Sequence, residues 1–238
     1  MDHMLIDAKF EGKSIKLNDD TVQHIKNKGY KVIALYAAVQ FTHLLEPIMK
    51  QLDELGVKII SSKPARTNEK YQLLGCITYK EALRLEEEPE AFLYVGDGVF
   101  HPRALVLAQR EEENFKEIIR YDPVADKLIL MGKDDCEMIF KKYNASLAKF
   151  LMAENIGVLI TIKPGQQQFR VSKKLKEVFP DKNIYFFAED TIDYTHLEDF
   201  NFIQSWVNSA CPRIGFDDAV NLPIGMINIT DAIRLARK

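Results

Sequence analysis

Short, nearly continuous apolar runs recur along the chain and are typical of strands buried on both faces of a parallel sheet. The clearest are KVIALYAAV at residues 31–39, AFLYV at 91–95 and IGVLITI at 156–162. Shorter apolar segments follow the same pattern. The strands predicted in this way are residues 31–39, 57–60, 91–95, 116–121, 156–162, 184–188 and 205–207.

Segments with apolar residues at helical spacing separate these strands. Residues 41–55 place Leu44, Ile48 and Leu52 on one face, and Gly56 ends the segment. Strands that alternate with helices predict an α/β fold, with mostly parallel sheets and helices on both faces. The predicted helices are residues 21–28, 41–55, 134–154 and 168–179.

The strand–helix–strand pattern occurs twice, which indicates an internal repeat. Gln40 and Gln166 each close the first strand of their unit, and Cys76 and Cys211 each follow its later part. We therefore expect two successive strand–helix–strand domains, in which the two cysteines occupy corresponding places. The predicted domains are residues 30–153 with Cys76 and residues 154–238 with Cys211.

Composition narrows the class of protein. The chain has 238 residues, 47% of them hydrophobic, and a formal net charge of −3, with a pI near 6.0. A nucleic-acid surface usually shows a basic excess, so direct nucleic-acid binding is not expected. No apolar run approaches the roughly 20 residues that span a bilayer, and residues 1–20 lack a signal-peptide core. The prediction is a cytoplasmic protein that does not enter membranes.

Several polar and glycine-rich segments lie just past predicted strand ends, where open α/β sheets bind their ligands. They are Gln40, the turn Gly96-Asp97-Gly98, the turn Lys163-Pro164-Gly165-Gln166, and Cys211. Glycine lets backbone N–H groups approach a ligand closely. The alternative is that the Gly-Asp-Gly sequence is only a tight turn.

The three cysteines are widely spaced, which argues against a disulfide framework. Cys76 and Cys211 are candidate metal ligands, although a free cysteine often packs as an inert apolar residue. Cys136 lies in a predicted helix among acidic residues that disfavour a thiolate, so we interpret it as structural. Zinc is a competing metal, with His101 as a further ligand, but the close cysteine pairs typical of zinc sites are absent from the sequence.

Two other features have simpler interpretations. His43 lies beside the apolar face of a predicted helix, which is typical of a half-buried packing residue. The acidic run Glu86–Glu90 is expected to be a solvated face, because nothing complementary accompanies it in the sequence.

Six ordered motifs resemble the diphthamide synthase family, the 2-(3-amino-3-carboxypropyl)histidine synthases. The resemblance extends from about residue 30 to the end of the chain. The motifs are Gln40 with His43-Leu44, Leu73-Leu74-Gly75-Cys76, Gly96-Asp97-Gly98-Val99-Phe100-His101-Pro102, Tyr121-Asp122-Pro123, Lys163-Pro164-Gly165-Gln166, and Ala210-Cys211-Pro212-Arg213 followed by Asp217-Asp218.

The resemblance implies a 4Fe-4S cluster held by three cysteines, with one iron left open for S-adenosylmethionine. Reductive cleavage of the Cγ–S bond of S-adenosylmethionine would give a 3-amino-3-carboxypropyl radical that adds to a histidine of translation elongation factor 2. Cys76 and Cys211 match two of the three cluster cysteines. The cofactor-binding residues implied are Gln40, Gly96, Asp97, Gly98, His101, Gln166 and Arg213.

Two of these assignments have structural alternatives. Gln166 and Arg213 are candidates for the amino-acid end of S-adenosylmethionine, where a guanidinium would suit the carboxylate. Arg213 would instead have a structural role if it pairs only with Asp217 or Asp218. Gln166 would have one if it only caps the following helix.

The sequence departs from the family pattern in its N-terminal segment. The family's first domain, with its own cysteine, is expected before residue 30, but residues 1–29 contain no cysteine and are interpreted as a shortened remnant of it. Two thiolates are too few for such a cluster. A homo- or hetero-oligomer with a related subunit carrying the missing domain would supply the third, and the reaction also needs an electron donor.

Three hypotheses remain open from the sequence. The first is a diphthamide synthase subunit that becomes active with a partner. The second is a non-catalytic accessory or scaffold subunit of the same complex. The third is a cluster-free protein that binds S-adenosylmethionine or another nucleotide at Gly96–Gly98.

Overall fold

A computed structural model describes residues 8–12, 14–163, 166, 168–222 and 224–236. The chain divides into two compact units, here called unit 1, which ends at Cys136, and unit 2, which begins at Glu137. Within the described ranges, no helix combines the length and the apolar character needed to cross a bilayer.

Unit 1 is built on a five-stranded sheet in which four strands are parallel and the last is antiparallel. Its strand order is β2-β1-β3-β4-β5, so the first strand lies inside the sheet. Every residue of β3 is buried, as expected for a strand covered on both faces. The strands are β1 (Val32–Ala37), β2 (Lys58–Ile60), β3 (Ala91–Val95), β4 (Glu117–Asp122) and β5 (Lys127–Met131).

Four helices accompany this sheet. The first is well delimited, because the Asn18 side chain accepts a hydrogen bond from the Thr21 amide at 3.0 Å and Gly29 ends the helix with φ +68°. The helices are α1 (Asp19–Lys28), α2 (Glu46–Glu54), α3 (Lys80–Leu83) and α4 (Phe100–Ala108).

Unit 2 has a four-stranded, fully parallel sheet in the order β7-β6-β8-β9. Its core includes a fully buried Trp206, whose ring centroid lies 4.9 Å from that of Phe187. The strands are β6 (Asn155–Thr161), β7 (Asn183–Glu189), β8 (Ser205–Asn208) and β9 (Met226–Asn228), and the helices are α5 (Glu137–Met152), α6 (Phe169–Val178) and α7 (Ile229–Leu235).

The two sheets share one topology, which confirms the predicted α/β class and supports the internal repeat. In each unit the first strand is central, the second lies on one side, and the third and fourth lie on the other. Crossovers between parallel strands are right-handed as a rule, so a chain that leaves the first strand in both directions is expected to place helices on both faces of the sheet.

The predicted elements differ from the observed ones in three places. Residues 41–55 form a 3-10 turn, Val39–Leu44, followed by α2, because Pro47 lacks the amide hydrogen needed inside a helix and opens a new one. Cys136 lies in a short turn that precedes α5. Helices α3, α4 and α7 and strands β5 and β9 were not predicted.

The long helix and the N-terminal segment bear on the domain boundaries. The sequence predicts a domain boundary after residue 153, at the end of the long helix. The observed division lies before that helix, so α5 belongs to unit 2. Helix α1 groups with unit 1, where Ile25 is buried. Its origin as the remnant of another domain stays a prediction.

The acidic run Glu86–Glu90 is exposed but has partners, so the expectation that nothing complementary accompanies it is wrong. The Lys58 ammonium lies 2.5 Å from a Glu87 carboxylate oxygen, and the Lys80 ammonium lies 2.7 Å from Glu88. Lys80 lies shortly before the run in the sequence, whereas Lys58 is 29 residues from Glu87 and reaches it only in the folded chain.

Glu117, at the start of β4, connects α1 to the sheet. Its Oε2 atom lies 2.6 Å from His24 Nε2 and accepts a hydrogen bond from the Tyr30 hydroxyl at 2.9 Å. Burial alone would raise the pKa of Glu117, but the hydrogen bonds from His24 and Tyr30 outweigh it and lower the pKa below its usual value.

This cluster predicts a pH-dependent stability. Because the folded-state pKa of Glu117 is lowered, its stabilising effect is present above the unfolded-state pKa of 4.5 and is lost as the pH falls through the folded-state value. Glu117→Gln should destabilise the protein by about 1 kcal/mol at neutral pH and by less near pH 4. Urea unfolding at both pH values measures this, with the exposed Glu113→Gln as control. An equal loss at both pH values would contradict it.

Candidate functional site

The Gly96-Asp97-Gly98 turn follows β3 next to the end of β1, where the strand order of unit 1 changes direction. Ligands of open α/β sheets bind at such a switch point. Gln40 follows β1, and its side-chain Nε2 donates to Asp97 Oδ1 at 3.1 Å. The structure therefore brings Gln40 and the glycine turn together, as the sequence predicts.

Each glycine of this turn has its own structural reason. Gly98 has φ +65°, a left-handed conformation that side chains disfavour. A Cβ atom at Gly96 would lie 2.8 Å from the Tyr94 hydroxyl oxygen. Tyr94 is fully buried beneath the turn, and this burial, followed by the charge of Asp97, raises the pKa of its hydroxyl. The turn therefore packs directly on the sheet.

Cys76 lies in a loop that runs beside the end of β1. The Leu73 amide donates to the Ala37 carbonyl at 3.0 Å, so the loop continues the parallel pairing for one further step. A Cβ atom at Gly75 would overlap the ring of Phe100, the first residue of α4. Glycine is therefore needed for the Cys76 loop to approach α4.

His101 belongs to the first turn of α4, next to this contact. Its ring centroid lies 5.5 Å from that of Phe100 in an edge-to-face arrangement. Pro102 in the same turn is compatible with a helix start, where an amide hydrogen is not required. The Gly75–Phe100 contact thus joins the Cys76 loop to the helix turn that carries His101.

Cys211 follows β8 in unit 2, in a loop anchored by side chains that the sequence analysis missed. Asn208 Nδ2 donates to the Cys211 carbonyl at 2.8 Å, and Asn208 Oδ1 accepts from the Ala210 amide at 3.0 Å. Asn228, at the end of β9, donates to the Pro212 carbonyl at 3.0 Å. In sequence, buried asparagines give no signal that separates them from ordinary loop residues.

Arg213 is 3% exposed, and its Nε donates to Asp217 Oδ2 at 2.6 Å. Asp217 belongs to a π-helical turn, Ile214–Asp218, and such turns are often found at functional sites. The pair matches the structural alternative for Arg213. Its predicted role as a ligand for a carboxylate stays a prediction.

Tyr194 is a further residue of this region that the sequence analysis missed. Its hydroxyl donates to Asp218 Oδ2 at 2.7 Å. Burial, the hydrogen bond to Asp218 and the nearby Cys211 raise the pKa of Tyr194. Tyr194 is therefore close enough to the Cys211 thiol for the charges of the two groups to interact.

Gln166 is described individually. Its amide donates to the Lys163 carbonyl at 3.1 Å, in agreement with the predicted turn. Pro164 and Gly165 of the same motif lie outside the described residues. Ligand binding by Gln166 stays a prediction.

The two candidate ligand cysteines do not occupy corresponding places, contrary to the expectation from the repeat. Cys76 lies in the connection between the second and third strands of unit 1, whereas Cys211 directly follows the third strand of unit 2. The residue that corresponds to Cys211 in unit 1 is Gly98, three residues after β3. Spacing along the sequence does not reveal strand order, which is why the repeat suggested a false match.

The cysteines differ in accessibility. Cys76 and Cys211 are partly exposed and form no disulfide, whereas Cys136 is 1% exposed. Thiols on loops at strand ends suit metal ligation, and a fully buried thiol suits packing. Among the described residues, no group of three or more His, Cys, Asp or Glu side chains is arranged to hold a metal ion.

The Gly75–Phe100 contact predicts a specific coupling. Gly75→Ala should destabilise the protein by about 1–3 kcal/mol, because the new methyl group overlaps the ring. Phe100→Ala should relieve most of that loss in the double variant. Gly132→Ala is the matched control, since a Cβ atom there meets nothing within 4 Å. Denaturant unfolding measures the stability of the four variants and of the unsubstituted protein, and additive effects at Gly75 and Phe100 would contradict the contact.

Comparisons with known proteins connect these features to a family. A curated relative from Pyrococcus horikoshii, named 2-(3-amino-3-carboxypropyl)histidine synthase, is 29% identical over 202 residues, which cover 84% of this chain and 55% of the relative. Subunit 1 of the synthase of that name from Schizosaccharomyces pombe is 28% identical over 211 residues, covering 84% of this chain and 46% of the relative. The chain spans about half the length of the curated relatives it matches.

A solved structure, that of Dph2 from Pyrococcus horikoshii with a 4Fe-4S cluster, has the same fold. It superposes with a TM-score of 0.71 at 22% identity and covers 91% of this chain and 61% of that chain. The family model described as putative diphthamide synthesis protein matches residues 6–232, nearly the whole sequence. This protein therefore belongs to the diphthamide synthesis family.

Proposed function

We propose that the chain acts in diphthamide biosynthesis, as part of a transferase that moves the 3-amino-3-carboxypropyl group from S-adenosylmethionine to a histidine of elongation factor 2. The observation that carries this proposal is the family match over residues 6–232. It is supported by Cys76 and Cys211, which lie on loops at the ends of parallel strands and are partly exposed.

Cys76 and Cys211 are the residues that would hold an iron–sulfur cluster. Both residues are partly exposed and neither forms a disulfide, as is required of cluster ligands before assembly. When bound, a cluster with one open iron would supply the electron that cleaves the Cγ–S bond of S-adenosylmethionine. Two thiolates do not complete the ligand set, so another chain is proposed to contribute the third.

The residues of the strand ends bind and orient the substrate in this proposal. Gln40 and Asp97 form a hydrogen bond at the switch point. Gly98 lets the turn adopt a left-handed backbone conformation that residues with a side chain disfavour. His101 follows Phe100, which contacts Gly75 of the Cys76 loop, and is proposed to help shape the binding site for the substrate. Gln166 and Arg213 are proposed for the amino-acid end of the substrate in unit 2.

A partner subunit is part of the proposal. Several eukaryotic relatives are named subunit 1 of the synthase, a name that implies at least one other subunit. A related chain with a first domain would add a third cysteine, and an electron donor would reduce the assembled cluster. We propose that the complex works in the cytoplasm, where elongation factor 2 acts.

A second candidate function is that of a non-catalytic accessory subunit. The ion pair between Arg213 and Asp217 favours it, because a guanidinium already bound to a carboxylate is less able to receive a substrate carboxylate. In that role the chain would bind the catalytic subunit without holding a cluster of its own.

Anaerobic reconstitution with iron and sulfide separates these functions. The purified chain should assemble little cluster alone and near-stoichiometric 4Fe-4S cluster when a related subunit with a first-domain cysteine is present. Iron content and the EPR signal after reduction are the measurements. Cluster in the related subunit alone, unchanged by adding this chain, would support the accessory role. Binding of S-adenosylmethionine without iron would support a cluster-free protein.

Cysteine variants test the ligand assignment in the same complex. Cys76→Ala and Cys211→Ala should each abolish cluster assembly, since each removes one thiolate from an already minimal set. Cys136→Ala is the control and should leave iron loading unchanged, because that thiol is buried in a turn of unit 1. Equal iron content in all three variants would rule out the assignment.

A further inference from the structure

The carboxyl ends of β8 and β9 carry two buried asparagines that bind each other. Asn208 is 1% exposed and Asn228 is 2% exposed. Asn208 Nδ2 donates to Asn228 Oδ1 at 2.8 Å. Burying two side-chain amides is costly unless their polar atoms are paired, so this arrangement requires a structural or functional reason.

The pair directs its remaining hydrogen bonds at the backbone around Cys211. Three consecutive residues are held: the Ala210 amide by Asn208 Oδ1, the Cys211 carbonyl by Asn208 Nδ2, and the Pro212 carbonyl by Asn228 Nδ2. The backbone on both sides of the thiol is therefore fixed by side chains from two neighbouring strands.

A second set of contacts fixes Asn228 itself. Its backbone N–H donates to the Tyr143 hydroxyl at 2.9 Å, and the Tyr143 hydroxyl donates to the buried carboxylate of Asp231. A Cβ atom at Gly215 would overlap the Asn228 side-chain oxygen, so the chain following Cys211 packs closely on the pair. Asn228 is thus held through its backbone by Tyr143 and through its side chain by Asn208 and the packing of Gly215.

The sheet of unit 2 contains a matched pair with no such connection. Asn183 Nδ2 donates to Asn155 Oδ1 at 3.0 Å, at the opposite, amino-terminal ends of β7 and β6. This pair is exposed. An amide–amide hydrogen bond between neighbouring strands therefore does not by itself create a loop anchor.

We propose that Asn208 and Asn228 are positioning residues that hold the Cys211 loop in the conformation in which its thiol is presented as a ligand. This inference rests on the proposed function only for the identity of what Cys211 binds. The outer hydrogen-bonding partners of metal ligands commonly orient them, and here the partners act through the backbone.

The experiment compares thiol reactivity in the apo chain. N-ethylmaleimide is added under anaerobic, native conditions, and mass spectrometry follows modification of Cys211 and Cys76 in the same molecules. Asn208→Ala should raise the rate at Cys211 about tenfold relative to Cys76, because the loop loses two hydrogen bonds and opens more often. The exposed control variants Asn155→Ala and Asn183→Ala should leave the ratio unchanged.

Hydrogen exchange distinguishes positioning of the Cys211 loop from a general stabilisation of unit 2. If the pair only stabilised unit 2, the amides of β6 would lose protection together with any gain in reactivity at Cys211. The positioning role predicts that β6 keeps its protection while the Cys211 loop alone opens. An unchanged ratio of Cys211 to Cys76 in the folded variant would overturn the proposal.

A milder variant covers the case in which Asn208→Ala fails to fold. Asn208→Ser keeps an oxygen that can accept from the Ala210 amide but cannot reach Asn228, and it should still raise the ratio. Unfolding of both variants would identify the pair as a general stabilising element and also overturn the proposal. Because the assay needs no cluster, failure of cluster assembly would contradict the proposed function without affecting this result.

Discussion

The peptide groups that follow the last residue of a parallel strand lose the regular partners of the sheet, and buried peptide groups must find others. Both units place their candidate ligands at this point, so the way the loops satisfy these groups determines where each functional side chain lies. Unit 1 uses backbone contacts: the Ala38 amide donates to the Val95 carbonyl at 3.0 Å, and the Gly96 amide donates to the Tyr121 carbonyl at 2.9 Å. Unit 2 makes the same kind of backbone contact, from the Ser209 amide to the Leu159 carbonyl at 3.0 Å, and adds hydrogen bonds from the side chains of Asn208 and Asn228.

The two solutions place different demands on the sequence. Loops held by backbone contacts approach the sheet and α4 closely, so unit 1 needs glycine where a methyl group would overlap Tyr94 or Phe100. A loop held by amide side chains needs particular polar residues at strand ends, and their burial makes them sensitive to substitution. Cys76, in a loop beside the end of β1, and Cys211, in the loop after β8, are therefore held by different kinds of contact.

Much of the fold could be predicted from the sequence, because buried parallel strands appear as apolar runs and helices as periodic ones. Helix α4 was missed because its first turn, Phe100-His101-Pro102, follows a glycine turn and contains a proline, features that are also typical of loops. The three-residue strand β9 is too short to show a period. The anchors Asn208 and Asn228 were missed because their role depends on which strands are neighbours, and that information is not local to the sequence.

The contact between α1 and Glu117 has a consequence for how the chain acquires its structure. His24 and Glu117 are 93 residues apart, whereas Asn208 and Asn228 are separated by only 20. During synthesis, α1 leaves the ribosome long before β4, its partner in the sheet, exists. The loop that carries Cys211 has its anchors soon after it is made. Closing a long loop costs more entropy than closing a short one, so the contact of α1 with Glu117 is expected to form later than the contacts of the Cys211 loop.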